Sequence, residues 1–457
     1  MMGNNSKRKE SINGITDREY YAIEVKLLSP LNLSNGESYY TDSDVLKNAS
    51  GEYFIPGTSI AGAFRNYHGK TKNEECIYGF SRDDDGKMSS VFISDLYLKM
   101  KNEDGSRKVQ TSIRDGVKLN SEKTVDNKFD MEIVERGAAG TIYISYIKRK
   151  LDKSEKFDTV IYEMLRGIHN GDIRFGARKN RGFGRFAICQ IYSSKFEIGS
   201  KDALKEWLAF SSEESENRDK YQECSTYDEW VEKYEKSHES NEYHSKYITV
   251  SVPLKLTGGI SIRKYSARPG NADFEHITSN QEPVIPGSSW GGAIRSDMSN
   301  ILKKIGMGNK VEEIIKTWFG TQEENKAVQS MLVVSESIIK DAAELEVTRN
   351  KIDRFTGGTI ESALYTERAF FGGNTKLEYM VRKDDSKDYK ALLAMMELIV
   401  DDIMKGYVAI GGQVSIGRGI FSGEMSEMTY SEEYNCEEGM NLLYGILKKA
   451  KGEKKDE

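Results

Sequence analysis

The chain has 457 residues and a net charge of −6, a length that predicts two or three domains and a charge that does not suggest a nonspecific nucleic-acid binder. A local basic groove stays compatible with that balance, because charged patches act over a Debye length of roughly 8–10 Å. Cys76, Cys189, Cys224 and Cys436 lie far apart without a CxxC pair or Cys/His cluster, the N-terminus is polar and no apolar run reaches membrane-spanning length. These features point away from a disulfide framework, a structural zinc site and a membrane, and predict a soluble cytoplasmic protein.

In chain order, residues 1–17 are expected to form a disordered lead-in. Tyr21, Ile23, Val25 and Leu27 alternate as on one face of a strand. A long loop over 34–53 leads to Ile55–Arg65, IPGTSIAGAFR, where Pro56-Gly57 marks a turn and Thr58 or Ser59 is placed to cap a helix. Strands are expected at Val91–Leu98 and Gly140–Ile147, with charged loop between them. A helix is expected over Asp158–His169. Then comes DIRFGARKNRGFGRF, Asp172–Phe186, in which Gly176, Gly182 and Gly184 sit among Arg174, Arg178, Lys179, Arg181 and Arg185. Glycines let a backbone come close to a ligand, and guanidinium forks match phosphate oxygens, so the loop is a candidate cradle for a polyanion. A solvated turn has the same composition. A strand returns over Arg185–Ile198. Residues 199–245 are acidic and polar, with short helices expected at Leu204–Phe210 and Trp230–Tyr234, and form a candidate connecting segment.

The pattern then restarts. Ile248, Val250, Val252 and Leu254 alternate, and Ile285–Arg295, IPGSSWGGAIR, matches Ile55–Arg65 at seven of eleven positions. Glu367 and Glu132 each precede a glycine, Gly372 and Gly137, by five residues. Ala391–Ile403 is expected to be a helix. IGGQVSIGRGIF, Ile410–Phe421, then aligns without gaps on Phe175–Phe186, so that Gly411, Gly417 and Gly419 repeat Gly176, Gly182 and Gly184, while only Arg418 keeps the charge. The offset stays between about 230 and 235 residues, which identifies a duplicated domain, spanning 18–198 and 246–430. Residues 431–457 give one helical stretch, Met440–Lys449, and a lysine- and glutamate-rich tail expected to be mobile. The order of elements predicts an α+β fold with a ferredoxin-like core in each unit.

The two proline-glycine-serine helix starts and the two glycine loops resemble those of the RAMP superfamily of CRISPR-associated proteins. IRDGVKLNSEKT with FDMEIVERG, and VTRNKIDRFTGGTIESALYTERAFFGG, are similar to the mid-domain region of the type III effector backbone subunit. The combination resembles a tandem fusion of two such subunits. This resemblance implies two RNA-recognition-like palms with inserted thumb segments, assembly with other effector subunits on a guide RNA, and cleavage of complementary target RNA. It places a catalytic aspartate in the loop before the proline-glycine motif: Asp42, with Asp44 as neighbouring alternative, and Asp273, with Glu275 and His276 nearby. Attack by a ribose 2′-OH would be supported by these carboxylates, which would hold Mg²⁺ together with RNA phosphates. Loop and turn chemistry also favours aspartate at such positions. Arg65 and Arg295, at matched places in the two helix motifs, are candidate guide-phosphate contacts. Arg114, Lys118, Lys351 and Arg354 are candidates to support the thumb or RNA path, and Tyr39, Tyr40, Phe355 and Phe370 to stack on bases. A non-cleaving RNA-binding scaffold and, with less support, a guide-processing endonuclease are the competing readings; the latter needs a general base beside a glycine loop, and neither loop contains histidine.

Overall fold

The computed structural model describes residues 14–451 apart from 35, 37–39, 70–74, 76, 83–84, 101–107, 120–124, 151–156, 199–200, 211–217, 238–242, 266–271, 324–325, 362 and 385–387. In the first half, β1 (Ile15–Leu27) leads to helix α1 (Gly57–His68), then β2 (Val91–Ile93). A hairpin follows, β3 (Thr111–Leu119) and β4 (Val125–Val134), then β5 (Ala139–Arg149), α2 (Phe157–Asn170) and β6 (Phe186–Glu197). The sheet runs β6-β1-β5-β2 with antiparallel neighbours. That is the ferredoxin-like arrangement: the fourth and third core strands flank the first, and one helix follows each of the first and third.

The second half repeats it. Strand β8 (Tyr247–Thr257), a short strand β9 (Phe274–His276), helix α5 (Gly287–Lys304), α6 (Val311–Phe319) and β10 (Leu332–Val334) come first. β11 (Ala343–Arg349) and β12 (Tyr365–Phe371) form the inserted arm, and β13 (Asn374–Arg382), α7 (Tyr389–Met404) and β14 (Ile420–Ser422) close the sheet in the order β10-β13-β8-β14. Alternation explains the core. Tyr21, Ile23, Val25 and Leu27 turn one face of β1 onto Ile60 and Phe64 of α1 and Leu165 and Ile168 of α2. Val250, Val252 and Leu254 do the same against Trp290 and Ile294 of α5 and Leu392 and Ile399 of α7. Complete burial of one such aliphatic side chain contributes about 1.5–3 kcal/mol.

Three expectations change. β1 begins at Ile15, inside the expected lead-in, because its start pairs with the end of β5; residues 1–13 lie outside the described ones. The charged stretch before Gly140 is an extended hairpin. The acidic segment is more than a connector. Helix α3 (Lys201–Ala209) leads through Arg218–Lys220 to β7 (Glu223–Thr226), which adds a fifth strand beside β6, and α4 (Tyr227–Ser237) sends Tyr227, Val231 and Tyr234 into the first core. Its core residues are sparse but sit three and four positions apart, on one helix face. At the C-terminus, α8 (Cys436–Lys451) packs on α7; the tail beyond it lies outside the described residues. Cys189, Cys224 and Cys436 are free thiols, and Cys76 is outside the described residues.

Candidate nucleic-acid interface

Helices α1 and α5 start directly after Pro56 and Pro286, whose fixed φ suits a helix entry. Neither Thr58 nor Ser59 caps α1. Asp95, from beyond β2, accepts the Gly57 N–H at 2.7 Å instead. Arg65 and Arg295 are exposed on these helices; Arg65 donates to the Gly79 carbonyl at 3.1 Å, and the Arg295 guanidinium lies 5.7 Å from the Phe319 ring centre.

The two glycine loops share one backbone. Arg178 and Gln413 have φ of 55° and 59°, Gly182 and Gly417 of 83° and 79°, Gly184 and Gly419 of 71° and 70°. A Cβ on Gly184 would stand 1.8 Å from the Phe175 carbonyl oxygen, and one on Gly419 1.9 Å from that of Ile410. These glycines therefore close each loop on itself, where no L side chain fits. Gly176 and Gly411 face the carbonyls of Asn32 and Ser261 in the same manner. Close approach to a ligand, the expected reason for the glycines, is not what these four serve.

The arginines divide. Arg174 is buried, with Nε donating to the Gly171 carbonyl at 3.0 Å and Nη2 3.1 Å from the Met380 sulfur; burial and the neighbouring Arg185 push its pKa down to about 10. Arg185 is half-buried and pairs with Glu378. Arg178 lies over the Phe129 ring at 4.6 Å. Arg418 is buried, 4.0 Å from Glu367 and over the Phe371 ring at 4.3 Å. Both guanidiniums are buried, against the expectation of exposed RNA-facing groups, because Gly171 and Met380 engage Arg174, and Glu367 and Phe371 engage Arg418. Lys179 and Arg181 remain exposed.

The first loop sits between the halves. Gly182 abuts β10, where a Cβ would be 2.6 Å from the Ser335 Cα. Around it, Arg136 pairs with Glu282, Ser279 donates to Glu135, and Arg114 pairs with Glu336 and lies 3.8 Å from Glu135. Arg114 is buried, so this member of the charged hairpin locks the junction. The side chain of Lys118 is not described; Lys351 and Arg354 are exposed. Of the aromatics, Phe370 is core, Tyr40 and Phe355 are exposed, and Tyr39 lies outside the described residues. Beside the junction runs a groove of about 800 Å³, to which Asn66, Lys179, Asn180, Lys246, Gln329 and Arg382 contribute. Arg174 also lines it, and its Nη1 is buried without a hydrogen-bond partner among the described residues. The Asp172 carboxylate there accepts from Tyr243, Ser245 and the Lys246 N–H, and the groove is cationic because Arg174, Lys179, Lys246 and Arg382 outnumber it in the lining.

The two candidate carboxylates occupy matching places. Asp42 is exposed; its Oδ2 accepts from the Asp130 N–H at 3.0 Å, and its own N–H donates to Asp130 Oδ1 at 2.9 Å. Asp273 is exposed and accepts from the Thr366 N–H at 2.7 Å. Asp44 instead accepts from the Tyr40 and Thr41 N–H groups and the Thr41 hydroxyl, as a staple of its own loop. The repeated glutamate lies two residues beyond Asp130 in the first half and one residue beyond Thr366 in the second. Glu132 accepts from the Val45 N–H and the Tyr53 hydroxyl, and Glu367, fully buried, from the Ser261 hydroxyl. Both glutamates brace the base of their aspartate's loop, a role the repeated sequence position signalled only as a match. Glu275 is taken up by Arg368. His276 is not an assistant to Asp273: it is buried, Nδ1 accepts from the Ile262 N–H at 3.0 Å and Nε2 donates to the Val284 carbonyl at 3.0 Å, and burial pushes its pKa down to about 4. Among the described residues no three His, Cys, Asp or Glu side chains are grouped to hold a metal. Each aspartate offers one carboxylate oxygen beyond its backbone contact, which suits a Mg²⁺ that keeps water and phosphate ligands but not a protein cage.

A sequence profile of the RAMP superfamily matches residues 24–187 and 247–422. The chain belongs to the RAMP superfamily, with one domain in each half. Membership supports a general role in RNA binding and in association with other effector subunits. No curated protein matches the chain. Among the described residues, no helix is long and apolar enough to cross a membrane.

Proposed function

We propose that the chain is a double backbone subunit of a type III CRISPR effector, binding guide RNA along both halves and supporting cleavage of the paired target RNA at Asp42 and Asp273. The observation that carries this reading is the matched pair of exposed aspartates, each held by one backbone N–H from the strand that bears the buried or half-buried glutamate. The cationic groove beside the junction supports a polyanion passing from one half to the other, with Arg65, Lys179, Arg181 and Arg295 on accessible surfaces. In the proposed reaction the ribose 2′-oxygen forms a bond to the adjacent phosphorus and the P–O5′ bond breaks. The aspartate takes the 2′-OH proton, water supplies one to the leaving oxygen, and the products carry a 2′,3′-cyclic phosphate and a 5′-OH. A bound Mg²⁺ would offset charge on the phosphoryl oxygens.

A second reading, a scaffold that holds RNA without cutting it, is favoured by the fact that each aspartate already spends one oxygen on a backbone N–H. A cleavage map separates the two. The chain is assembled with partner subunits and guide, and end-labelled complementary RNA is added with Mg²⁺. Asp42→Ala and Asp273→Ala are each expected to remove one distinct cut, by 10²-fold or more, about the contribution of a positioned base, while RNA binding holds. Unchanged cuts in both variants would leave the scaffold reading standing.

A further inference from the structure

We propose that residues 201–210 and 218–221 cap the outer face of the first sheet and thereby bar a second copy of this chain from adding head-to-tail through its Gln413–Gly419 loop.

The internal junction shows what such an addition requires. On the outer face of β13, Glu378 receives Arg185 and Met380 receives Arg174, while Gly182 seats against Ser335 and the Arg181 carbonyl approaches Gly287. The first sheet offers an equivalent place. Val25 lies opposite Gly140 as Leu254 lies opposite Thr375, so Tyr143 and Ser145 stand where Glu378 and Met380 stand. That place is filled from within the chain. Arg218 donates to Thr141 Oγ1 at 2.9 Å and to the Tyr143 hydroxyl at 3.2 Å, and also pairs with Glu24 at 3.3 Å. It engages Tyr143 as Arg185 engages the register-equivalent Glu378. Alongside, Trp207 donates to the Tyr20 hydroxyl at 2.7 Å, and the Phe210 ring lies 4.9 Å from Tyr20 and 5.2 Å from Phe196.

At the other end of the chain the docking loop is spare. It keeps the backbone of the first loop, yet among the described residues a Cβ on Gly417 would meet nothing within 4 Å, and Val414 and Ile416 are 49% and 54% exposed. Its chemistry fits the capped face and not the internal one. Ile420 replaces Arg185 where Tyr143 replaces Glu378, and Ile416 replaces Arg181. Phe92, 44% exposed on β2, matches Val333, which is buried on β10. An ion pair in the internal contact corresponds to an apolar contact between copies, and that selects a second copy of this chain as the occupant. Such a contact is heterologous and does not close, so it would extend past the dimer.

The test is sedimentation of the full chain over a concentration series. Wild type is expected to stay monomeric. Trp207→Ala with Arg218→Ala is expected to at least double the weight-average mass, rising further with concentration, and Ile416→Asp added to it is expected to restore the monomer. Arg218→Ala alone, which keeps Trp207 packed, reads the same shift in smaller degree should the double variant lose its fold. A folded uncapped protein that stays monomeric would overturn the proposal, as would association that Ile416→Asp leaves unchanged or wild-type association through Ile416.

Discussion

In the first half the glycine loop is wedged against β10 and the start of α5, its Gly182 in contact with a neighbouring backbone and Arg174 and Arg185 engaged across the junction. In the second half the same loop has no neighbour at Gly417 among the described residues, and apolar Val414 and Ile416 are exposed. Both keep the same left-handed residues. The comparison separates two demands on one motif: loop closure fixes the glycines in both copies, and the neighbouring surface chooses the side chains.

The largest expected effect is at the junction. Arg114→Ala leaves Glu336 and Glu135 buried without their cation and should cost about 3–5 kcal/mol, the usual loss on breaking a buried pair from one side. Urea unfolding checks it, with Arg295→Ala, an exposed position in the other half, expected within about 0.5 kcal/mol of wild type. The loops themselves come next. Gly182→Ala combines a left-handed backbone, about 1–2 kcal/mol, with overpacking against Ser335, about 1–3 kcal/mol, whereas Gly417→Ala meets only the first. Paired thermal melts should therefore rank Gly182→Ala well below Gly417→Ala, and equal melts would mean that the wedge carries no strain. The effect that is smallest at neutral pH is an acid response, which His276 carries in the second half. His276 is held neutral, with its pKa down at about 4, while in the unfolded chain it returns to about 6.5. The unfolded state thus takes up the proton first, and stability present above pH 6.5 is lost as pH falls towards 4, at up to about 1.4 kcal/mol per pH unit. His276→Gln, which retains both hydrogen-bonding ends, should flatten that slope in part; Val45 stands at the matching place of the first half, where His169, whose pKa burial also lowers, adds a response of the same sign.

The duplication, both proline-glycine helix starts and the strand–helix order were legible because they rest on local backbone chemistry and alternation, which the sequence states directly. The burial of Arg174, Arg418 and Arg114 was not, since a guanidinium has the same letter whether it faces water, a phosphate or a carboxylate from the other half. Arg114 reads as a solvated hairpin charge until Glu336, more than two hundred residues later, is placed beside it. The same holds for Asp44 and Asp42: two aspartates in one loop are equivalent in sequence, and only the hydrogen bonds to Tyr40 and Thr41 show which carboxylate is occupied. Residues 199–245 misled through composition, because a few aromatics at helical spacing suffice to anchor a segment that is otherwise acidic.

The contacts of Arg114, Arg136 and Arg185 across the junction have a metrical consequence. They tie one half to the other at three points, so on the reading proposed above Asp42 and Asp273 would be two marks on one gauge. A polymer laid along both halves would then be measured by the protein itself, and the interval between the marks would be inherited with the chain, not set anew each time subunits gather.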